Sequence, residues 1–189
     1  MLFGGIGLPN GEFGKTDGDN PGFAKQGFFG GAEIMFSLAP SIGIVLDGRY
    51  IINKLNEDEL LKGSGPSMTA SFGQWTGILP MGGIRLYTTG SIGLFVDAQA
   101  GYMFAKSPEI SYSGTFNGTP INYKNESQNG KGLAYGASAG IDIGNTLVVG
   151  ASYIITKPKF ESTSSSGAPG STPTEQQMNM IHLWAGIRF

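Results

Sequence analysis

Between Ser91 and Lys106 the chain alternates. Ile92, Leu94, Val96, Ala98, Ala100, Tyr102 and Phe104 are interleaved with Gly93, Phe95, Asp97, Gln99, Gly101 and Met103. A repeat of two sends successive side chains to opposite faces of an extended strand, and a run this long leaves no room for a helical reading. The same pattern recurs at 42–53 (Ile42, Ile44, Leu46, Tyr50, Ile52), 133–143 (Leu133, Tyr135, Ala137, Ala139, Ile141) and 146–157 (Leu147, Val149, Ala151, Tyr153, Ile155). It closes the chain at 177–189, with Ile181, Leu183, Ala185, Ile187 and Phe189, and runs more loosely through 26–38 and 74–88. Residues 1–13 supply an eighth strand whose facing the pattern leaves open.

The connections then decide the architecture. Residues 39–41, 89–90 and 144–145 are tight turns, whereas 14–25, 54–73, 107–132 and 158–176 are long loops. Short and long connections alternate strictly. A soluble sandwich has no reason to sort its loops by side, but a barrel crossing an outer membrane has short periplasmic turns and long external loops. The expected fold is therefore all-β: one domain, residues 1–189, forming an eight-stranded antiparallel up-and-down transmembrane β-barrel. An even strand number puts both termini on the periplasmic side. A soluble lipocalin-like barrel is the alternative, and solubility without detergent would favour it.

Within the long loops, Asn56 to Gly63 reads as a single helical turn with an Asn cap and a Gly stop. Residues 109–126 read as a hairpin turning at Asn117-Gly118. Its arms fall short of the roughly 9–11 residues that cross a bilayer, so it is expected to stand above the membrane rather than make ten strands. Residues 161–175 are a Ser/Thr/Gly/Pro-rich flexible loop.

Charge placement agrees with this reading. All nine lysines fall in loops or at strand ends, and the three arginines, Arg49, Arg85 and Arg188, fall inside strands on the face opposite the apolar one. Glu33, Asp47, Asp97, Gln99, Asp142 and His182 share that inward face, so a paired lumen network is expected. An Arg or Lys on the lipid face near the midplane would cost about 2–4 kcal/mol. The aromatics Phe28, Tyr50, Tyr102, Tyr135 and Tyr153 lie on the lipid face at a common height of roughly 18–25 Å from the short turns. They form an expected girdle, with Phe36 and Phe189 at the lower edge.

Composition bears on the interior. The chain has 32 glycines in 189 residues, where average usage would give about 13. Most of those in strands of assigned facing point inward, among them Gly27, Gly31, Gly83, Gly101, Gly140 and Gly150. They make room for Phe29, Met35, Phe95, Met103, Met180 and Trp184 in a lumen that eight strands leave barely wide enough to fill. A net charge of −2 with three arginines argues against nucleic acid. The absence of cysteine excludes disulfide frameworks and thiol chemistry. No signal peptide is recognisable at Met1-Leu-Phe-Gly-Gly-Ile, so an export signal is expected to have been removed or never to have been present.

The terminal His-Leu-Trp-Ala-Gly-Ile-Arg-Phe resembles the assembly signal of bacterial outer-membrane proteins, carried here by Leu183, Ala185, Ile187 and Phe189. Gly186 stands nearer the end than in the usual form. Together with Gly-Ile-Gly-Leu-Pro-Asn-Gly-Glu-Phe-Gly near the start and Ile-Leu-Pro-Met-Gly-Gly-Ile-Arg-Leu-Tyr before a tight turn, the chain resembles the small outer-membrane β-barrels (OmpA/OmpX-like, including the group common in Bacteroidota). The resemblance implies a Gram-negative outer membrane, contact with the lipid bilayer and lipopolysaccharide, and passage through the barrel-assembly machinery. That family spans adhesins, anchors, narrow pores and a few enzymes. No peptidoglycan-binding domain is expected after Phe189, so anchoring to the cell wall would be expected to need another protein.

No cofactor or metal site is expected. His182 is the only histidine; a base, a metal ligand or a proton gate is conceivable there, but a place in the lumen network is the simpler reading. Trp184 stands where one group of lipid-modifying barrels has serine in His-x-Ser. The loop acids Asp17, Asp19, Glu57, Asp58 and Glu59 lack calcium-loop spacing. The expected function is that of a non-enzymatic structural or interaction protein, working through its outer loops or lipid-facing wall, with a protein partner in the membrane. A narrow pore is the first alternative and a lipid-modifying enzyme the second.

Overall fold

The computed structural model describes residues 1–62, 68–116, 119–161 and 174–189. Its strands, in chain order, are β1 (Leu2–Asn10), β2 (Ala24–Ala39), β3 (Ile42–Leu55), β4 (Met68–Phe72), β5 (Gln74–Tyr87), β6 (Ile92–Lys106), β7 (Ile110–Phe116), β8 (Thr119–Asn125), β9 (Asn129–Ile143), β10 (Leu147–Thr156), β11 (Lys159–Phe160), β12 (Thr174–Glu175) and β13 (Asn179–Ile187). A single helical turn, α1 (Glu57–Leu60), lies between β3 and β4.

Eight of these strands close on themselves in the order β10-β13-β1-β2-β3-β5-β6-β9, with β9 pairing back to β10. Every pairing is antiparallel between chain neighbours, and β1 meets β13 across the closure, from Leu2 opposite Ile187 to Asn10 opposite Asn179. The fold is the eight-stranded up-and-down barrel that the alternation and loop sorting predict. Closure removes every edge from the wall, and edges are what an isolated sheet has to protect.

The facing of β1, open in the sequence, is now fixed. Phe3 and Gly7 are buried inside while Leu2 is exposed outside. The strand ends at Asn10, earlier than residue 13. Gly11 takes a positive φ of 59°, the Asn10 side chain accepts from its N–H, and Gly11–Phe13 form a 3₁₀ turn that swings Phe13 over the mouth of the barrel. At the other loops, β9 begins at Asn129 rather than near 133, so the third outer loop is shorter than expected.

The hairpin of β7 and β8 stands apart from the barrel as its own sheet. It carries a third strand, β4, paired from Met68 opposite Gly114 to Phe72 opposite Ile110. The sequence reading had only the hairpin; its proposed turn at 117–118 lies outside the described residues. The expected Asn56 cap is corrected too. The Asn56 side chain makes no cap bond: its backbone stands at φ −84° and ψ 78°, away from the extended conformation of a capping residue, and its N–H donates to the Phe23 carbonyl at 2.7 Å. Its proposed stop, Gly63, lies outside the described residues. The flexible loop expected over 161–175 lies outside them at 162–173, but Thr174–Glu175 pair with Lys159–Phe160.

Glycine serves the curvature as well as the contents. A Cβ added at Gly27 would overlap the carbonyl oxygen of Ile52, and one at Gly83 that of Ala98. At these inward positions the neighbouring backbone is the nearest obstacle, joined at Gly27 by the Asn53 side chain. Gly140 and Gly150 follow the sequence expectation more closely, since Phe95 and Trp184 fill the room they leave.

Candidate functional site

The inward face carries two arginine-centred clusters. Arg85, 1% exposed, donates to both oxygens of Asp97 at 2.7 Å and to both oxygens of Glu33 at 2.7 and 2.8 Å. Arg49 donates to both oxygens of Asp47 at 2.8 and 3.1 Å, and Gln99 donates to Asp47 at 3.0 Å. These fork-to-carboxylate pairs are the strongest geometry available to buried charge. The register brings them together: Glu33 lies opposite Asp47, and Arg85 opposite Asp97. Aromatic faces complete the shell, with Arg85 4.3 Å from the Phe95 ring centroid and Arg49 5.5 Å from that of Phe3. Arg188 and Asp142 pair separately, near the short-turn end.

His182 sits beside the Arg49 cluster and is fully buried. Its Nδ1 lies 3.3 Å from Arg49 Nη1, and its ring stacks on Phe29 at 4.0 Å. A guanidinium can only donate. Nδ1 is therefore the acceptor, and the ring is neutral with its proton on Nε2. In a serine–histidine–acid triad an acid sits on that nitrogen and stabilises the imidazolium; here the neighbour is the Arg49 cation. Ser152 lies directly across from His182 on β10, but its hydroxyl accepts from Trp184 Nε1 at 2.9 Å. The serine and histidine are neighbours without being a dyad.

The long-loop mouth is closed by aromatic rings that the sequence reading did not single out. Phe13 and Phe160 pack edge-on against Trp75 at 5.6 and 5.7 Å, and Trp75 Nε1 donates to the Gly22 carbonyl at 3.0 Å. Trp75 was readable from its inward parity on β5. Phe160 continues the inward parity of β10 in the same register against β9, whereas Phe13 arrives from the reversal at Gly11 and carries no such signal. The opposite end is open: a cavity of about 690 Å³ at the short turns is lined by polar groups including Tyr87, Thr88, Ser91, Asp142 and Arg188, and reaches Arg85. Among the described residues no cluster of His, Asp and Glu could hold a metal ion.

The outer wall is the remaining surface. Phe28, Tyr50, Tyr135 and Tyr153 are exposed toward the long-loop end, with Tyr102 half-buried, while Phe36 is exposed near the short turns. Ile34 and Leu94 are 59% and 57% exposed between the two levels. A continuous apolar belt of this size exceeds anything a soluble monomer shows to water. Phe189 is 89% exposed and lies beyond the end of β13, whereas Leu183, Ala185 and Ile187 face outward within it. All nine lysines stand at the long-loop end or in its loops.

No family model matches the sequence, and no curated protein is similar to it in sequence. Solved structures do share the fold. That of Ail, the attachment invasion locus protein of Yersinia pestis, matches with a TM-score of 0.52 at 16% identity, covering 100% of this chain and 96% of that one. The structure of Ail in complex with the heparin analogue sucrose octasulfate matches to the same extent. The shared feature is the fold, an eight-stranded antiparallel barrel.

Proposed function

We propose that this protein is a non-enzymatic barrel of a Gram-negative outer membrane, with periplasmic termini, that works as an interaction protein through its long-loop end and its wall. The observation that carries the reading is the contrast between interior and exterior. Inside, Arg85 has its donors committed to two carboxylates and Arg49 to Asp47 and His182, and Phe13, Trp75 and Phe160 cover the mouth. Outside, the sheet of β4, β7 and β8 projects beyond the girdle and exposes Tyr123. The neighbour Ail was crystallised with a heparin analogue, which supports an anionic outer ligand as one class of partner.

Orientation is tested with single cysteines, since the natural chain has none. A cysteine replacing Ser113 is expected to react with a membrane-impermeant maleimide on intact cells, and one replacing Thr89 only after permeabilisation. The reverse order would overturn the orientation. Partner contact is tested by cross-linking in native membranes, with and without residues 109–126. A partner lost with the hairpin supports the projecting sheet, and one retained places the contact on the wall.

A narrow pore is the second reading, favoured by the cavity at the short-turn end. Planar-bilayer recording separates the two. Discrete channels abolished by Arg85→Gln would replace the interaction reading with the pore.

A further inference from the structure

Residues 11–23, in the first outer loop, are closed on themselves as well as packed on the barrel. The Gly22 N–H donates to the Glu12 carbonyl at 2.8 Å, and the Phe23 N–H to that of Lys15 at 3.0 Å. At the other end Gly14 and Lys15 complete a turn onto the Gly11 and Glu12 carbonyls. Gly22 lies so close to Phe13 that an added Cβ would overlap the Phe13 carbonyl oxygen. A compact loop whose ends meet and which is packed by its own residues is an Ω-loop, a unit with its own internal structure.

Both ends of this unit carry left-handed backbone. Gly11 has φ 59° and Phe23 φ 49°. Glycine adopts that region freely, whereas a bulky side chain does so at a cost. Among the described residues the only other non-glycine with positive φ is Asn145, a residue type that tolerates it. Strain of this kind persists only where surrounding contacts enforce it. Here those contacts are the fully buried Phe13 ring against Trp75, the Trp75 bond to the Gly22 carbonyl, and the Asn56 N–H on the Phe23 carbonyl. On the far side Asn20 donates to the Glu175 carbonyl at 2.6 Å, and its own carbonyl accepts from Gln176 at 3.4 Å. Every one of these latches is uncharged. Among the described residues no ion pair within 4 Å ties residues 11–23 to the barrel, and Glu12 acts on Lys157 only from farther away.

We propose that residues 11–23 are a hinged lid over the long-loop mouth, which opens as one piece about Gly11 and Phe23, lifts Phe13 off Trp75 and uncovers the lumen from outside. Opening relieves the backbone at Phe23. It breaks one buried ring contact and a few neutral hydrogen bonds, whose groups water then satisfies. The hydrogen bonds within the loop stay intact, so the lid keeps its shape as it moves. This inference adds a moving part to the closed mouth, and it holds whichever partner the outer surface binds.

The test reads hydrogen exchange at the tryptophan indole N–H groups by NMR, in the full chain in detergent micelles. The chain has two tryptophans and so two indole signals, which Trp184→Phe assigns. The Trp75 indole is held by the lid, that of Trp184 by Ser152 inside the barrel. Exchange of a bonded N–H follows the population of its open state. Gly11→Ala strains the closed hinge, with only the Asn179 side chain near the new Cβ. Left-handed strain at one residue is expected to speed Trp75 exchange about 5–30-fold. Gly18→Ala places the same side chain at φ 100° within the lid, where the backbone is alike open and closed, and is expected to leave Trp75 unchanged. Asn20→Cys/Gln176→Cys, bridged by a short bifunctional thiol reagent, is expected to slow Trp75 exchange at least about tenfold against the unbridged variant. Trp184 exchange is expected to stay constant throughout. No acceleration by Gly11→Ala, or equal acceleration by Gly18→Ala, overturns the hinge. Unchanged exchange in the bridged variant means that the indole exchanges without lid movement, and equal acceleration at Trp184 means that the whole barrel loosens; either result overturns the lid.

Discussion

Arg85 carries more than its own charge. It is the shared partner of Glu33 and Asp97, so its removal strands two buried carboxylates, whereas loss of either acid leaves the other pair intact. Breaking a buried pair by removing one partner costs about 3–5 kcal/mol. Arg85→Leu is therefore expected to lose at least that much stability by urea unfolding in detergent micelles, and Glu33→Gln clearly less. At the outer surface, Lys157, with Lys159 behind it, holds the Glu175 carboxyl below its ordinary 4.5, chiefly through the hydrogen bond to Lys157. A lowered carboxyl pKa means that the contact contributes fully above 4.5 and is lost as pH falls through the lowered value. Lys157 is raised above 10.5 by the same bond, so its side of the contact is lost as pH rises through that raised value. An NMR titration of Glu175 is expected to move back toward 4.5 in Lys157→Met; an unmoved titration would assign the shift to Lys159.

Seven of the eight barrel strands were legible in the sequence with their facing, because each carries its own evidence, a period of two whose parity sets the face. Only the facing of β1 had to wait for its pairing with β2 and β13. The same parity put Arg49, Arg85 and their acids on one face. It could not say that Arg85 reaches Glu33, 52 positions away, since pairing across strands depends on register and shear. Elements without a repeat stayed hidden. Met68–Phe72 is too short to show one, and the mouth closure depends on the turn at Gly11 rather than on any pattern in Phe13 itself. The glycines were read as space for side chains, and at Gly27 and Gly83 the adjacent backbone takes that space. Alanine at either is expected to destabilise the barrel at least as much as ordinary overpacking, about 1–3 kcal/mol. Gly48 faces outward with nothing within 4 Å of an added Cβ, so Gly48→Ala is expected to be neutral or stabilising by about 0.4–1 kcal/mol. Unfolding midpoints of the three variants check the contrast. Equal losses at all three would mean that the curvature does not depend on glycine.

At the scale of the whole molecule, the barrel holds its paired charges among aromatic and aliphatic side chains inside, wears an apolar belt outside, and gathers its lysines at one end. The belt is costly in water and favourable in a bilayer, which satisfies no backbone group and admits only closed barrels or helices. The central claim is that the belt between the girdle and the short turns faces hydrocarbon. Spin labels at Ile34, Leu94 and Ile141, one per variant, in reconstituted bilayers test it directly. The account predicts strong relaxation by oxygen, little by a water-soluble nickel reagent, and the opposite order for a label at Ser113. Free access of the nickel reagent to Ile34, Leu94 and Ile141 would contradict it and leave a soluble barrel in its place.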